Sequence, residues 1–471
     1  MSSNYSTRLN FSTLFSFFKQ AVKGEEQDYT TGSIRKAVVM LAIPMILEMM
    51  MESVFAVVDI FFVGRLGKDA VSTVGLTESV LTLVYSIAIG LSMAATAVVA
   101  RRIGEKNPEE AGKAGIQAVI LAFIITVIIS LTGVFFASDI LRLMGAPPEV
   151  IAVGTPYTRI IYGGSIVIIM LFLINGIFRG AGDASIAMRS LWIANICNII
   201  LCPTLIYGIG SWEGFGLTGA ALATTAGRGI GVCYQLFHLF SGKRIIKIHR
   251  SHLIPDWKIL RSLFHLSWTA TLQFLIASAS WIILTRIMTR FGSAAIAGYT
   301  VALRVLMFFI LPAWGMSNAA ATLVGQNLGA GQPQRAEQSV WTAAKYNAIF
   351  MTIVSLIFLV ASEPIILFMN SDTEVKVIAT QALRIISLGY IFFGVGMVIT
   401  SSFNGAGDTK TPTWINLFGF WAFQIPLAYL LAITFDLGPR GVFFAVIIAE
   451  TVITIAGIII FRKGKWKTIK V

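Results

Sequence analysis

Long apolar stretches alternate along this chain with short segments that collect most of its Lys, Arg, Gly and Pro. Crossing the hydrocarbon core of a bilayer takes about 20 predominantly apolar residues of helix. Stretches at least that long fall at about 37–63, 70–99, 115–137, 150–176, 185–208, 216–241, 262–288, 294–324, 341–361, 375–402, 413–434 and 440–461. The pattern predicts twelve transmembrane helices. Several exceed the minimum, so tilt or kinks are expected. Pro44 lies inside the first span and is expected to bend it, because proline removes a backbone donor. Residues 10–20 are apolar but too short to cross, and predict an interfacial helix.

Composition removes the soluble alternatives. Of 471 residues, 56% are hydrophobic and 13% charged, against about 25% charged in soluble domains. Such a surface could not stay dispersed in water. The fold class is therefore an all-α polytopic membrane protein, since lipid leaves no water for an open backbone. The net charge of +13 does not imply a nucleic acid partner, because position accounts for it. With the N-terminus placed in the cytoplasm, 25 Lys and Arg fall on cytoplasmic segments and 7 on outside loops. The excess predicts a multi-pass protein of the plasma (bacterial inner) membrane with both termini cytoplasmic. That count assigns Arg179 to a cytoplasmic segment. Cys197, Cys202 and Cys233 lie in apolar stretches and imply no disulfide framework. The four His lack ligand spacing, so neither a resident metal nor a cofactor is expected.

The chain is internally duplicated. FRGAGD at 178–183 recurs as FNGAGD at 403–408; Arg65 and Gly67 recur as Arg290 and Gly292; Met144, Glu149, Arg159 and Gly164 recur as Met369, Glu374, Arg384 and Gly389. All these pairs share an offset of 225. The domain layout read from this is a cytoplasmic N-terminal tail (1–33), an N-lobe of six spans (34–242), a basic cytoplasmic linker (243–261), a C-lobe of six spans (262–462) and a basic tail (463–471). An even number of spans makes the two lobes parallel repeats about an axis along the membrane normal. Two such bundles with a cleft between them suit alternating access, and no filter-like stretch suggests a channel. In the GAGD turns, Asp183 and Asp408 are expected to cap the helices that follow.

The first span breaks the symmetry. Glu48, Glu52 and Asp59 have repeat equivalents Gln273, Ala277 and Leu284, none of them charged. On a helix the second lies about 40° and the third about 20° from the first. A carboxylate at mid-bilayer costs about 3 kcal/mol on insertion scales. A one-sided stripe of them is expected to face water, a cation or hydrogen-bond donors inside the bundle. The competing readings are neutral packing for Glu48 and Glu52, and snorkelling for Asp59. Arg228 and Glu450 are expected as mid-span neighbours, and Arg304 as a partner for an acid across the cleft.

The chain resembles the multidrug and toxic compound extrusion (MATE) transporters of the multidrug/oligosaccharidyl-lipid/polysaccharide exporter superfamily. AIPMILE at 42–48, VDIFFVGRLG at 58–67, NGIFRGAGD at 175–183, GLTGAALAT at 216–224, VGQNLGAG at 324–331 and FNGAGDTKT at 403–411 carry the likeness, across roughly residues 34–462. It implies two six-helix lobes and export of organic compounds by cation antiport. In one branch of the family it further implies an N-lobe cation site, matching Asp59, Asn175, Asn198, Cys202 and Thr224, and a bending proline matching Pro44. Where that branch has a second aspartate this chain has Cys202, which argues for protons over sodium as the coupling ion. Glu48 and Glu52 are added here as acids of the cavity. The expected partners are a small organic substrate, often cationic, the coupling cation and the lipid bilayer, with the chain acting as a monomer. A metabolite exporter and a lipid-linked oligosaccharide flippase are the rivals. The acidic asymmetry argues against the flippase, which needs a cationic cavity for pyrophosphate.

Overall fold

The computed structural model describes residues 11–24, 27–242, 244–369 and 372–471. A short helix, Phe11–Lys23, packs against the first and fifth spans. Arg189 donates to the carbonyls of Val22 and Lys23 at 2.8 Å each.

Among the described residues, ten helices are long and apolar enough to cross a membrane, and a bent pair makes an eleventh. Span 1 is Ile34–Val63, span 2 Lys68–Gly104 and span 3 Pro108–Phe135. Span 4 is Pro148–Gly163 with Ser165–Ala181, and span 5 is Ala184–Tyr207. Span 7 is Trp257–Met288, span 8 Ser293–Gly329 and span 9 Pro333–Met369. Span 10 is the bent pair, Thr373–Ser387 and Tyr390–Gly405, at 57°. Span 11 runs Lys410–Thr434 and span 12 Pro439–Arg462. Leu217–Phe240 completes the set as span 6. Its 24 residues reach about 36 Å at 1.5 Å per residue. It is less apolar than the others because Thr224, Arg228 and Gln235 turn into the N-lobe and away from lipid. The helix assigned to span 1 is continuous through Pro44.

The repeat survives in the geometry. Spans 2 and 8 are each 37 residues long and start 225 residues apart. Spans 6 and 12 follow the left-handed glycines Gly216 and Gly438, so their offset is 222. The N-lobe has a short hairpin, Gly208–Ile209 with Trp212–Glu213, just before span 6. The GAGD turns differ in detail. Asp408 accepts from the Thr411 backbone N–H at 3.1 Å. Asp183 makes no such cap, because its carboxylate accepts from Ser185 Oγ at 2.9 Å and pairs with Arg244 at 3.2 Å.

Spans 1 and 7 are exchanged between lobes. Ala37, Val38, Leu41 and Met45 of span 1 pack in one apolar cluster with Ala319, Val324 and Phe403 of the C-lobe. Leu260, Leu263 and Leu266 of span 7 join the N-lobe core. The far ends return to their own lobes, Val63 to the N-lobe core and Leu284 and Met288 to the C-lobe cluster. Pro44 lies within the stretch of span 1 that packs on the C-lobe, since Ile43, Met45 and Ile46 on either side of it join that cluster.

The lobes meet in the half of the bundle that bears the termini. Gln326 donates to Gly180 O at 2.9 Å, Thr322 to Arg179 O at 3.2 Å and Arg101 to Ala406 O at 3.3 Å. The close approach requires glycine. A Cβ on Gly104 would stand 2.0 Å from Gln326 O, and one on Gly329 would stand 2.2 Å from Arg101 O. Both tails add straps here. Arg101 and Arg102 of the N-lobe donate to Ile469 O at 2.8 Å and Val471 O at 2.7 Å. Asp28 pairs with Lys106 at 2.7 Å, while Arg335 of span 9 donates to the carbonyls of Tyr29, Thr31 and Gly32. At the opposite end, positions 67, 75 and 292 have open space around them, and Phe61, Leu83 and Phe308 are exposed. The hydrogen bonds named above between the lobes all lie at the end bearing the termini.

Two outcomes test this closure. Gly104→Val is expected to wedge the lobes apart where they touch, raising the labelling of cysteines placed at that seam and reducing transport; unchanged labelling would count against the packing. Burial alone would raise the Asp28 carboxyl, but the hydrogen bonds from Lys106 and Thr30 hold it at about 2, below its ordinary 3.8. A depressed carboxyl contributes stability above its unfolded value and loses it only as pH falls toward the folded one. Hydrogen exchange of residues 27–33 should therefore show the same protection from about pH 8 to about pH 5 once corrected for intrinsic rates.

Candidate functional site

The three acids of span 1 face the N-lobe interior, and each meets a different environment. Glu48 is fully buried. Its Oε1 accepts from Asn175 Nδ2 at 2.8 Å and from Arg179 Nη1 at 3.2 Å. Arg179 also donates to Ser92 Oγ at 2.7 Å, and Ser92 donates onward to Phe172 O. Asn175 Oδ1 accepts from Ser190 Oγ at 3.1 Å and Gln235 Nε2 at 2.5 Å. Spans 1, 2, 4, 5 and 6 are tied together at this level.

One turn further, Glu52 accepts from Arg228 Nη2 at 3.1 Å. The Arg228 guanidinium stands 4.4 Å from the Phe55 ring centroid and 5.6 Å from that of Tyr85. Aromatic faces suit a desolvated cation. Two turns beyond lies Asp59. It accepts from Thr224 Oγ1 at 3.1 Å, and Cys202 Sγ lies 3.6 Å from its other oxygen. Asn198 Nδ2 donates to Thr224 Oγ1 at 3.4 Å. Among the described residues no Lys or Arg comes within ion-pair distance of Asp59. Two guanidinium groups therefore answer two of three carboxylates, and the remaining one is held by a hydroxyl and a thiol.

The structure brings together Asp59, Cys202, Asn198 and Thr224 and separates Asn175 from them. Asn175 sits with Glu48, 11 residues and about 16 Å down the helix axis from Asp59. Arg179, counted above as a loop cation, is buried and ion-paired, because the last turn of span 4 tucks under the C-lobe. Arg228 pairs with Glu52 and not with Glu450. Those two residues occupy equivalent places in the lobes, each the thirteenth residue from the glycine that opens its helix. Glu450 is buried, and Arg304 and Glu78 are exposed in the halves of spans 8 and 2 remote from the termini. Among the described residues none of these three is in an ion pair.

Sequence reasoning missed the partners, although a signal was present. In the C-lobe Glu48 becomes Gln273 and Arg179 becomes Asn404, so both charges are lost together. Paired loss is what a mutually neutralising ion pair predicts. Two small cavities of about 20 Å³ each abut Arg179 at the lobe seam, where Asn318 lines both and Asn404 lines one. Each is large enough for one water molecule.

Breaking a buried pair leaves an uncompensated charge and costs about 3–5 kcal/mol. Glu48→Gln and Arg179→Asn should each lower thermal stability in detergent strongly, and the double variant, which copies the C-lobe, should recover most of it. Additive losses would refute the pairing.

The MatE family model matches residues 44–204 and 270–430, two stretches of equal length, one in each half. Over 458 residues the chain is 26% identical to the probable multidrug resistance protein NorM of Thermotoga maritima, covering 96% of this chain and 97% of that one. It is 24% identical to an FAD transporter of Shewanella oneidensis, covering 85% and 88%. A solved MOP superfamily transporter from Pyrococcus furiosus, reported with reverse polarity of its binding pocket, superposes with a TM-score of 0.88 at 26% identity, covering 95% of this chain and 100% of that one.

Proposed function

Since the chain belongs to the MatE family, whose members compared above are transporters embedded in membranes, we propose that it is a secondary antiporter that exports amphipathic, often cationic organic compounds from the cytoplasm, driven by entry of a cation through Asp59. The observation that carries this reading is the charge balance of span 1. With Glu48 and Glu52 matched by Arg179 and Arg228, Asp59 is the acid of span 1 left without an ion-pair partner among the described residues, so a mobile cation there changes the net charge of the site.

A proton fits better than sodium. Sodium needs several hard oxygens around it. The groups on Asp59 are one hydroxyl and one thiol, with the Asn198 amide behind them. A carboxylate held by neutral donors can take up a proton without recruiting further ligands. Protonation weakens the Thr224 and Cys202 contacts, because a carboxylate accepts more strongly than a carboxylic acid. Span 1 is then freer to shift about Pro44. The excess of basic residues at the end bearing the termini supports a cytoplasmic position for that end. On this reading the cleft between the lobes opens outward, with Asp59 in its outer half, where it loads from outside and releases inward after the lobes rock. An inward proton carrying one charge across 100 mV supplies about 2.3 kcal/mol. The chain is read as acting alone, as a monomer. The FAD transporter of Shewanella oneidensis makes an endogenous metabolite the second reading for the cargo, with the same coupling.

Asp59→Asn should reduce gradient-driven export in proteoliposomes by at least about tenfold while leaving expression and thermal stability near wild type. An imposed proton gradient should drive wild-type export and a sodium gradient should not. Full export by the variant would overturn the role of Asp59; sodium-driven export would overturn the choice of ion alone.

A further inference from the structure

A groove of about 660 Å³ lies where the start of span 1 meets span 9. Arg35, Arg335, Gln338, Trp341 and Thr342 line it. None of them has a part in the cation site.

Its depth in the membrane follows from helix length. Span 9 has 37 residues and is about 56 Å long, whereas the hydrocarbon core is about 30 Å thick. Lys345 is the last charged residue before an apolar run that continues to Glu363. The turns from Arg335 to Thr342 therefore stand at the level of the lipid headgroups, where tryptophan is favoured.

Its charge is unbalanced. Arg335 gives three of its N–H groups to the carbonyls of Gly32, Thr31 and Tyr29, which leave its charge unneutralised. Among the described residues neither Arg35 nor Arg335 is in an ion pair. The nearest acid in sequence, Glu337, is already neutralised by Lys467 at 2.5 Å. Arg462 adds a third cation, its guanidinium 5.7 Å from the Trp341 ring centroid. Two guanidinium groups from different spans, beside an amide and a hydroxyl, suit a phosphodiester: Arg35 can offer it paired donors, and Arg335 adds its net charge and its remaining Nη1 hydrogen.

The surface beneath selects among phosphate esters. Ile349, Ile353 and Leu356 are exposed, and their spacing sets them within about 40° of Thr342 on the helix. An apolar track thus runs from the groove down the side of span 9. A soluble phosphate has no use for it, whereas an acyl chain does.

We propose that this groove binds the headgroup of an anionic glycerophospholipid, with its phosphodiester between Arg35 and Arg335 and an acyl chain along Ile349, Ile353 and Leu356. The site adjoins the segment that straps the lobes together, because Arg335 holds the carbonyls of the loop whose Asp28 grips Lys106. An occupied groove then favours the state closed on the side of the termini.

The test is native mass spectrometry of the full chain in detergent, with dioleoyl-phosphatidylglycerol and dioleoyl-phosphatidylcholine offered in turn. One phosphatidylglycerol should be retained in preference to phosphatidylcholine. The Arg35→Gln/Gln338→Glu variant, which leaves Arg335 and its loop intact, should retain it at least about tenfold more weakly at unchanged melting temperature. Equal retention of both lipids, or equal retention by variant and wild type, overturns the site. Glycerol 3-phosphate is the control for the source of the phosphate: displacement of the lipid by it at comparable concentration assigns the groove to a soluble ester and overturns the lipid. None of these readouts requires transport, so failure here and failure at Asp59 are distinguishable.

Discussion

No water is available inside a bilayer to solvate a charge, so every ionised group placed there must be answered by the protein. In the N-lobe this requirement selects partners from four neighbouring helices and joins them through span 1. Glu48 draws Asn175 and Arg179 from span 4, and Asn175 in turn draws Ser190 and Gln235 from spans 5 and 6. Glu52 draws Arg228. Each contact fixes the rotation of span 1 about its axis. Asp59 is consequently presented to span 5 and span 6 in a defined orientation. The two matched acids act as the frame in which the third is held.

The duplicated scaffold and its asymmetric contents have separate roles. Spans 2 and 8 match in length and in register, and the glycine approaches at Gly104 and Gly329 mirror each other across the seam. The C-lobe copy of the charged frame is amides, Gln273 and Asn404, and it carries Glu450 where the N-lobe carries Arg228. What is shared sets the scaffold and the seam, and what is not shared sets the charges inside each lobe.

Much of this was legible in the residues. Span positions follow from apolar length, and the repeat from a constant offset. The inward face of Glu48, Glu52 and Asp59 follows from helical periodicity. What escaped was anything that depends on depth or on pairing between spans. Arg179 looked like a loop cation because a charge count does not register that the end of a helix lies under another lobe. Asn175 was assigned to Asp59 although it lies about half the thickness of the hydrocarbon core away, since motif matching carries no axial coordinate. The correspondence of Arg228 with Glu450 was hidden because the offset changes from 225 to 222 at span 6. Span 6 itself is weak as a membrane segment for the reason that matters, because its polar residues are the ones that reach the site.

Spans 1 and 7 each begin in the opposite lobe's core and end in their own. Neither half of the chain contains a complete apolar interior by itself. Each bundle is finished by a helix borrowed from its twin, as the two hands of a clasp hold each other's wrists. The halves are therefore committed to fold as one unit, and any motion that parts them must be absorbed as flexing within the borrowed helices rather than as the sliding of two independent bodies.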